Sequence, residues 1–442
     1  MKDKEKLDSW KDISRYLQRD VRTCQRWEKE LGLPVHRLEG TTRPRVFAYT
    51  GEIKAWIKEK HANNFEDHSG GRLAARLKLL GFSALIILIP VLLLVLKPPV
   101  QSRSPVDFKI VDSKLVMLDA EGQMLWTFDT GLSNLESDAI YHQHFQAKRI
   151  LLKGTAQPYL LIEDIDGDNS PEVIFSIQTR DEIREGRLFC FSDRGKTLWT
   201  FDPGRRMTFG ETEYSSAFRI QGLRACDWDG DGFMEILCVA IHGYRFPCLL
   251  LLLDHNGELR GEYCHSGYFK DYEFIDLDGD GRKEIVLAGM NNEWQARCCA
   301  VLDPGVMKGA SHQIEPEYTC RSLERGTEKF YFVFPHSRLD KQKTPYHTIS
   351  LLSFSVKDRR LTLTTDFPPM IFELNYGLEL ITLTLTHDFK TAYDVWTPAK
   401  HPRPSLEEIR REVLEEGIRY LSGEEWGPVP LLNPLWHETF SP

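Results

Sequence analysis

Hydrophobic positions along this chain fall into three kinds of pattern, and each marks a region. From Trp10 to Leu31 they recur three and four apart. Trp10, Ile13, Tyr16 and Leu17 share one face of a predicted helix, and Val21, Cys24, Trp27 and Leu31 share one face of a second. Ser9 is placed to cap the first helix, with Asp12 standing where a capping box usually has Glu. A polar break, Gln18-Arg19-Asp20, separates the two helices, and Gly32 ends the second. Short strands are expected at Val35 to Leu38 and Val46 to Tyr49, followed by a closing helix with Ile53, Trp56 and Ile57 inward. From Leu79 to Leu96 the pattern disappears: LLGFSALIILIPVLLLVL carries no charge. A helix of that length covers about 27 Å, so the run predicts one membrane span, in which Pro90 is tolerated. Beyond Val106 the composition turns to short apolar strands, separated by Asp, Gly and Asn turns. A final amphipathic helix is expected from Pro404 to Ser422, with Leu406, Ile409, Val413, Leu414, Ile418 and Leu421 on one side.

Charge adds direction to this picture. Arg72, Arg76 and Lys78 crowd the start of the apolar run, while Lys97 and Arg103 follow it. This predicts a single-pass protein of the inner (cytoplasmic) membrane, N-terminus inside and C-terminal domain outside. The 78 residues ahead of the run argue against a cleaved signal peptide. Residues 1–78 hold 18 Lys and Arg against 12 Asp and Glu; a net charge of −9 for the whole chain leaves −15 on the remainder. The basic end suits nucleic acid and the acidic end suits cations. Of nine cysteines, eight follow the run, where an oxidising compartment would allow disulfides. Most of them, however, lie in apolar strand-like stretches, where a free Cys acts as a small core residue. No Cys/His group has zinc-site spacing.

Two short helices joined by a tight turn, the second one basic, form a helix-turn-helix pattern, and the strand pair after it makes a wing. From Trp10 to Arg37 the chain resembles the small winged-helix domains of the MerR and excisionase type. That resemblance implies DNA binding by residues 1–62. Arg22, Thr23, Gln25 and Arg26 open the recognition helix, where Arg and Gln suit guanine and adenine edges. Lys29, Arg37, Arg43 and Arg45 would meet phosphates and set register. One such unit binds weakly, so a homodimer or tandem sites are expected.

The outer segment repeats itself. Asp164-Ile-Asp-Gly-Asp-Asn-Ser-Pro-Glu172, Asp227-Trp-Asp-Gly-Asp-Gly-Phe-Met-Glu235 and Asp276-Leu-Asp-Gly-Asp-Gly-Arg-Lys-Glu284 are three copies of one loop, each followed by an apolar strand. Between them run strand–turn–strand phrases with an Asp-x-x-Gly turn, from Leu115, Leu188 and Leu250, and a fainter one from Val301. Repeated units of this size predict the blades of a β-propeller, at least four and normally five to seven. The loop resembles the FG-GAP (VCBS-like) repeats of bacterial surface propellers and integrin α-subunits. Its chemistry suits Ca²⁺: carboxylates at positions one, three and five (Asp164, Asp166, Asp168; Asp227, Asp229, Asp231; Asp276, Asp278, Asp280) converge on one point. A left-handed residue at position six (Asn169, Gly232, Gly281) turns the chain. The carbonyls of Ser170, Phe233 and Arg282 and the carboxylates of Glu172, Glu235 and Glu284 complete the shell. The role expected for the ion is structural.

His142 and His144 alternate on a possible strand as a weak metal pair, and TAYDVW reads as a further strand. No nucleophile–base arrangement and no phosphate loop is present, so catalysis is not expected. The sequence therefore predicts a multidomain chain: a small α+β winged helix (1–62), a juxtamembrane linker (63–78), one transmembrane helix (79–96), a second linker (97–105), an all-β propeller (106–403) and a C-terminal helix and tail (404–442). The function expected is a membrane-anchored one-component transcription regulator whose outer propeller senses an unknown ligand or protein. The alternative is a surface adhesion or interaction protein whose small domain docks a protein. An enzymatic propeller is a third and weaker reading.

Overall fold

The computed structural model describes residues 5–37, 46–62, 103–147, 157–180, 186–243, 246–340, 348–396 and 403–436. They belong to two compact units, Met1–Pro99 and Val100–Pro442.

In the first unit the expected order appears with one addition: β1 (Lys6–Leu7), α1 (Trp10–Leu17), α2 (Val21–Leu31), β2 (His36–Arg37), β3 (Val46–Tyr49) and α3 (Thr50–Ala62). Ser9 caps α1, its hydroxyl bonding Asp12 in both directions. Asp20 caps α2 by accepting from the Thr23 N–H at 2.7 Å. Gly32 ends α2 in a left-handed turn, with φ 69°. Ile13, Cys24, Leu33, Ala48 and Ile53 form the core, with Trp10, Trp27, Trp56 and Ile57 packed around it. The Trp56 indole donates to the Leu31 carbonyl at 2.9 Å and ties α3 to the end of α2. The strand not foreseen is β1, which pairs with β3 and makes the sheet order β1-β3-β2. Two residues are too few to show a period.

The second unit is dominantly β. Blade 1 has β4 (Asp107–Val111), β5 (Lys114–Leu118) and β6 (Met124–Asp129), followed by helix α4 (Asp138–Ala147). Blade 2 has β7 (Leu160–Glu163), β8 (Glu172–Ser176), β9 (Leu188–Phe191) and β10 (Thr197–Phe201). A hairpin, β11 (Met207–Phe209) with β12 (Thr212–Tyr214), leads to blade 3: β13 (Phe218–Cys226), β14 (Glu235–His242), β15 (Cys248–Leu253) and β16 (Leu259–His265). Blade 4 holds β17 (Gly267–Ile275), β18 (Glu284–Asn291), β19 (Ala296–Leu302) and β20 (Glu328–Val333). Blade 5 holds β21 (Ile349–Ser355), β22 (Arg360–Thr365), β23 (Met370–Asn375) and β24 (Leu380–Leu385). Helices α5 (His387–Val395) and α6 (Leu406–Glu416) follow, and β25 (Arg419–Ser422) with β26 (Glu425–Gly427) returns to extend blade 4. Each sheet is an antiparallel meander, the strand order of a β-propeller. Among the described residues there are five blades, within the expected number.

Neighbouring blades are locked by a repeated contact. The Trp126 indole of blade 1 donates to Asp193 O on the β9–β10 turn of blade 2, and Trp199 of blade 2 donates to His255 O on the β15–β16 turn of blade 3, both at 2.9 Å. Gly195 and Gly257 lie under the two indoles, where an added Cβ would stand 2.7 and 2.6 Å from ring carbons. Both turns therefore need glycine. All nine cysteines are free and eight are buried, six of those eight within strands, where they act as small core residues.

Several expectations need correction. Among the described residues no helix is long and apolar enough to cross a membrane. The longest, α3, has 13 residues and covers about 20 Å, short of a bilayer's hydrocarbon core of about 30 Å. The spanning helix in the expected fold class, and the inner-membrane placement built on it, thus have no support; the Leu79–Leu96 run lies outside the described residues. The predicted helix from Pro404 to Ser422 stops at Glu416, because Gly417 takes a positive φ of 66° and the chain continues as strand β25. TAYDVW is the end of α5, capped by Thr386, with Phe389, Ala392, Tyr393 and Trp396 against the core. His142 and His144 lie on helix α4. His144 Nδ1 bonds Gln157 O at 2.7 Å and its ring stacks on Tyr159, while His142 packs on Phe108.

Candidate functional site

Each of the three acidic loops joins the first strand of a blade to the second, in blades 2, 3 and 4. The first Asp of each loop turns its carboxylate back onto the loop's own backbone. Asp164 accepts from the N–H groups of Gly167, Asp168 and Asn169 at 2.8 to 3.1 Å. Asp227 accepts from Gly230, Asp231 and Gly232, and Asp276 from Gly279 and Gly281. The third acid, Asp168, Asp231 or Asp280, accepts from the next residue but one, Ser170, Phe233 or Arg282. Position six is left-handed as expected, with φ 68° at Asn169, 94° at Gly232 and 90° at Gly281. Position four is left-handed too, at Gly167, Gly230 and Gly279 (φ 73°, 78° and 86°). Sequence reasoning missed this second requirement, although glycine stands there in all three copies.

This folding gathers carboxylate oxygens. Asp164, Asp166 and Glu172 each present an oxygen within 4.8 Å of the others'. The same holds for Asp227, Asp229 and Asp231, and for Asp276, Asp278 and Glu284. The final Glu also anchors the loop: Glu172 accepts from Ile165 N–H at 3.1 Å and Glu284 from Leu277 N–H at 3.0 Å. In the second loop a buried oxygen of Glu235, Oε2, has no hydrogen-bond partner. Burial first, then the neighbouring Asp carboxylates, push Glu172 and Glu235 up to about 7. Among the described residues no lysine or arginine pairs with the carboxylates of either loop. An all-oxygen donor set with surplus negative charge and an orphaned buried carboxylate oxygen fits a hard divalent cation.

The third loop differs. Lys329, on β20 of the same blade, places its ammonium 2.8 Å from Asp278 Oδ2 and 2.6 Å from Glu284 Oε1. Burial acts to raise Asp278, but the Lys329 bond, the charge of its ammonium and backbone N–H groups together hold that carboxyl below the usual range; burial still raises Glu284 against the same lysine.

The loops also touch one another in series. The N–H at position eight of the second loop, Met234, donates to the carbonyl at position two of the first, Ile165, at 2.9 Å. Lys283 N–H of the third donates likewise to Trp228 O of the second, also at 2.9 Å. Blade 5 has no such loop. There Arg359, directly before β22, uses its guanidinium to meet the Leu277 carbonyl of the third loop. At the other end, position eight of the first loop is Pro171, which has no N–H to give.

In the first unit, Arg22, Arg26 and Lys29 are exposed on α2, and Thr23 and Gln25 are half-buried. The Thr23 hydroxyl donates to Asp20 Oδ2 at 2.7 Å, so it serves the helix cap. The same residue's N–H and hydroxyl hold the Asp20 carboxyl below its ordinary range. Arg26 lies 4.0 Å from Glu30. Arg37 is clasped by Glu28 through both guanidinium nitrogens, at 2.5 and 3.0 Å. Arg43 and Arg45 lie outside the described residues.

No protein-family model matches the chain, and no curated protein matches it. Among solved structures it is similar to the exotype rhamnogalacturonan lyase YesX, with TM-score 0.30 and 14% identity over 64% of this chain and 52% of that one. It is similar to BamB from Moraxella catarrhalis, with TM-score 0.26 and 11% identity over 64% and 71% of the two chains. The Dos1 propeller gives TM-score 0.25 and 8% identity over 62% and 65%. The chain spans about half the length of the lyase. Likeness at these TM-scores carries no argument about activity, and the β-propeller rests on the order and pairing of the strands.

Proposed function

We propose that this chain is a DNA-binding regulator, in which a winged helix-turn-helix unit is joined to a calcium-stabilised propeller of the FG-GAP type that senses or binds a ligand. The observation that carries the first half is the exposed basic face of α2, with Arg22, Arg26 and Lys29 at successive helical spacings on a helix capped at both ends. Arg22 and Arg26 read base edges and Lys29 meets phosphate. Thr23 acts as part of the cap. The unit works as a dimer or on tandem sites. Ca²⁺, held by Asp164, Asp166 and Glu172 and by Asp227, Asp229 and Asp231, would neutralise the gathered carboxylates and pin each loop. No catalytic step is part of the proposal.

The test is binding of the full chain to fragments of the source genome at two salt concentrations. Selective recovery of a few fragments at the higher salt is expected, with about tenfold weaker binding for Arg26→Ala. One observation favours a second reading, a protein-docking unit: Glu28 occupies Arg37, a side chain expected on phosphate. Uniform, salt-labile binding, or none, would select that reading and discard the regulator.

A further inference from the structure

The three loops follow one pattern, yet their blades differ at one equivalent place. In each blade the last strand of the meander carries a register shift against its neighbour, and one residue sits in the bulge. That residue is Leu198 in blade 2, between Thr197 paired to Phe191 and Trp199 paired to Cys190. It is Arg260 in blade 3, between Leu259 paired to Leu253 and Gly261 paired to Leu252. It is Lys329 in blade 4, between Glu328 paired to Leu302 and Phe330 paired to Val301. A bulge residue is re-aimed relative to the strand around it, and the three go different ways. Leu198 is 46% exposed and carries no charge. Arg260 turns to the hairpin acid Asp254, its Nε 2.9 Å from Oδ2 with Nη2 on the same oxygen, and lies 3.3 Å from Glu258. Lys329 turns to the loop.

From this geometry we infer that the third loop is closed to divalent cations by the chain's own lysine, so that three matching loops hold two ions. The inference rests on the calcium reading of the other two loops. The Lys329 ammonium bridges two of the three acids that gather in the third loop, Asp278 and Glu284. A cation seeking those oxygens at 2.3–2.6 Å, the range for Ca²⁺ ligands, would occupy the same space as the ammonium. Lys329 is also held from behind. Its carbonyl accepts from Asn433 N–H at 3.1 Å, and its ammonium lies 4.8 Å from the centre of the Trp436 ring. Trp436 in turn donates to Asp303 at 3.3 Å. Asp303 occupies the hairpin position that Asp254 holds in blade 3. There Asp254 takes the arginine away from its loop; here Asp303 is engaged by Gly305 N–H and Trp436. The C-terminal segment thus helps to set the lysine on the loop.

The test is the number of calcium ions bound per full chain, by equilibrium dialysis with Ca²⁺ alone. Two are expected for the wild type. Asp166→Asn and Asp229→Asn should each lower the count to one, Asp278→Asn should leave it at two, and Lys329→Ala should raise it to three. A wild-type count of three that Asp278→Asn reduces to two overturns the inference and leaves the calcium reading standing. A chain that binds none overturns the calcium reading and the inference with it. The Asp278→Asn arm alters a half-exposed side chain, so the result does not depend on Lys329→Ala folding.

Discussion

The second and third acidic loops are spelled almost alike, join equivalent strands and fold their first Asp back onto the same backbone groups, yet they treat charge in opposite ways. In the second, the clustered carboxylates face one another and the backbone, and a buried Glu235 oxygen is left without a partner. In the third, an ammonium lies between two of the acids. The contrast shows that a ligand motif specifies a geometry and not an occupant. The occupant is decided by a residue 45 positions beyond Glu284, on the far strand of the blade.

Four measurements break or sharpen this contrast. The largest effect is expected from Lys329→Met in calcium-free buffer. It leaves buried Glu284 and its neighbour Asp278 without their cation and should lower stability by about 3 kcal/mol in chemical denaturation. Arg260→Met, at the equivalent place in blade 3, should cost much less, since that arginine is largely exposed and its ion pair is screened by solvent. Equal losses would mean that the two bulge residues do the same work. Next, Arg359→Ala removes the guanidinium from the Leu277 carbonyl and should cost about 1–2 kcal/mol. No loss would show that water replaces it. Third, Gly232→Ala meets no steric neighbour within 4 Å but must hold φ 94°, so it should cost about 1 kcal/mol and weaken calcium binding. A tolerated alanine would remove the need for a left-handed residue at position six.

The smallest effect is a pH dependence of the calcium-free protein. Glu172 and Glu235 are raised to about 7, above the ordinary value of 4.5. The folded state therefore holds protons that the unfolded chain has lost, and stability should fall as pH rises from about 4.5 to about 7, then level off. Saturating calcium should flatten that slope. Melting temperatures across this range, with and without calcium, check the sign; a rise in stability over the same window would count against the assigned environments.

Much of this was legible in the chain. The loops, the hairpin turns and the first unit's helices announce themselves, because their signals are local: an Asp-x-Asp-Gly-Asp run, a capping Ser9, a terminating Gly32. Helix α5 was legible too, since Phe389, Ala392, Tyr393 and Trp396 have helical spacing, but the β-branched and aromatic residues in TAYDVW favoured a strand reading. Tyr141 and Phe145, four apart and both buried, carried a similar signal for α4. Lys329 was not legible. A lone lysine before an apolar strand looks like any solvated charge, and what it meets is set by strand register between segments far apart. The clasp of Glu28 on Arg37 was hidden for a related reason, since the two residues come together only once β2 returns along α2.

The bonds that run from loop to loop have a polarity. Each link needs a donor at position eight and an acceptor at position two, like the joints of a chain-growth polymer. Here both end groups are blocked: Pro171 offers no donor, and the Leu277 acceptor is already consumed by Arg359. Three is therefore the terminated length of this row. A duplicated loop-bearing blade inserted in its interior would find a donor and an acceptor waiting, whereas one appended at either end would meet an inert terminus. The row can grow from within and not from its tips.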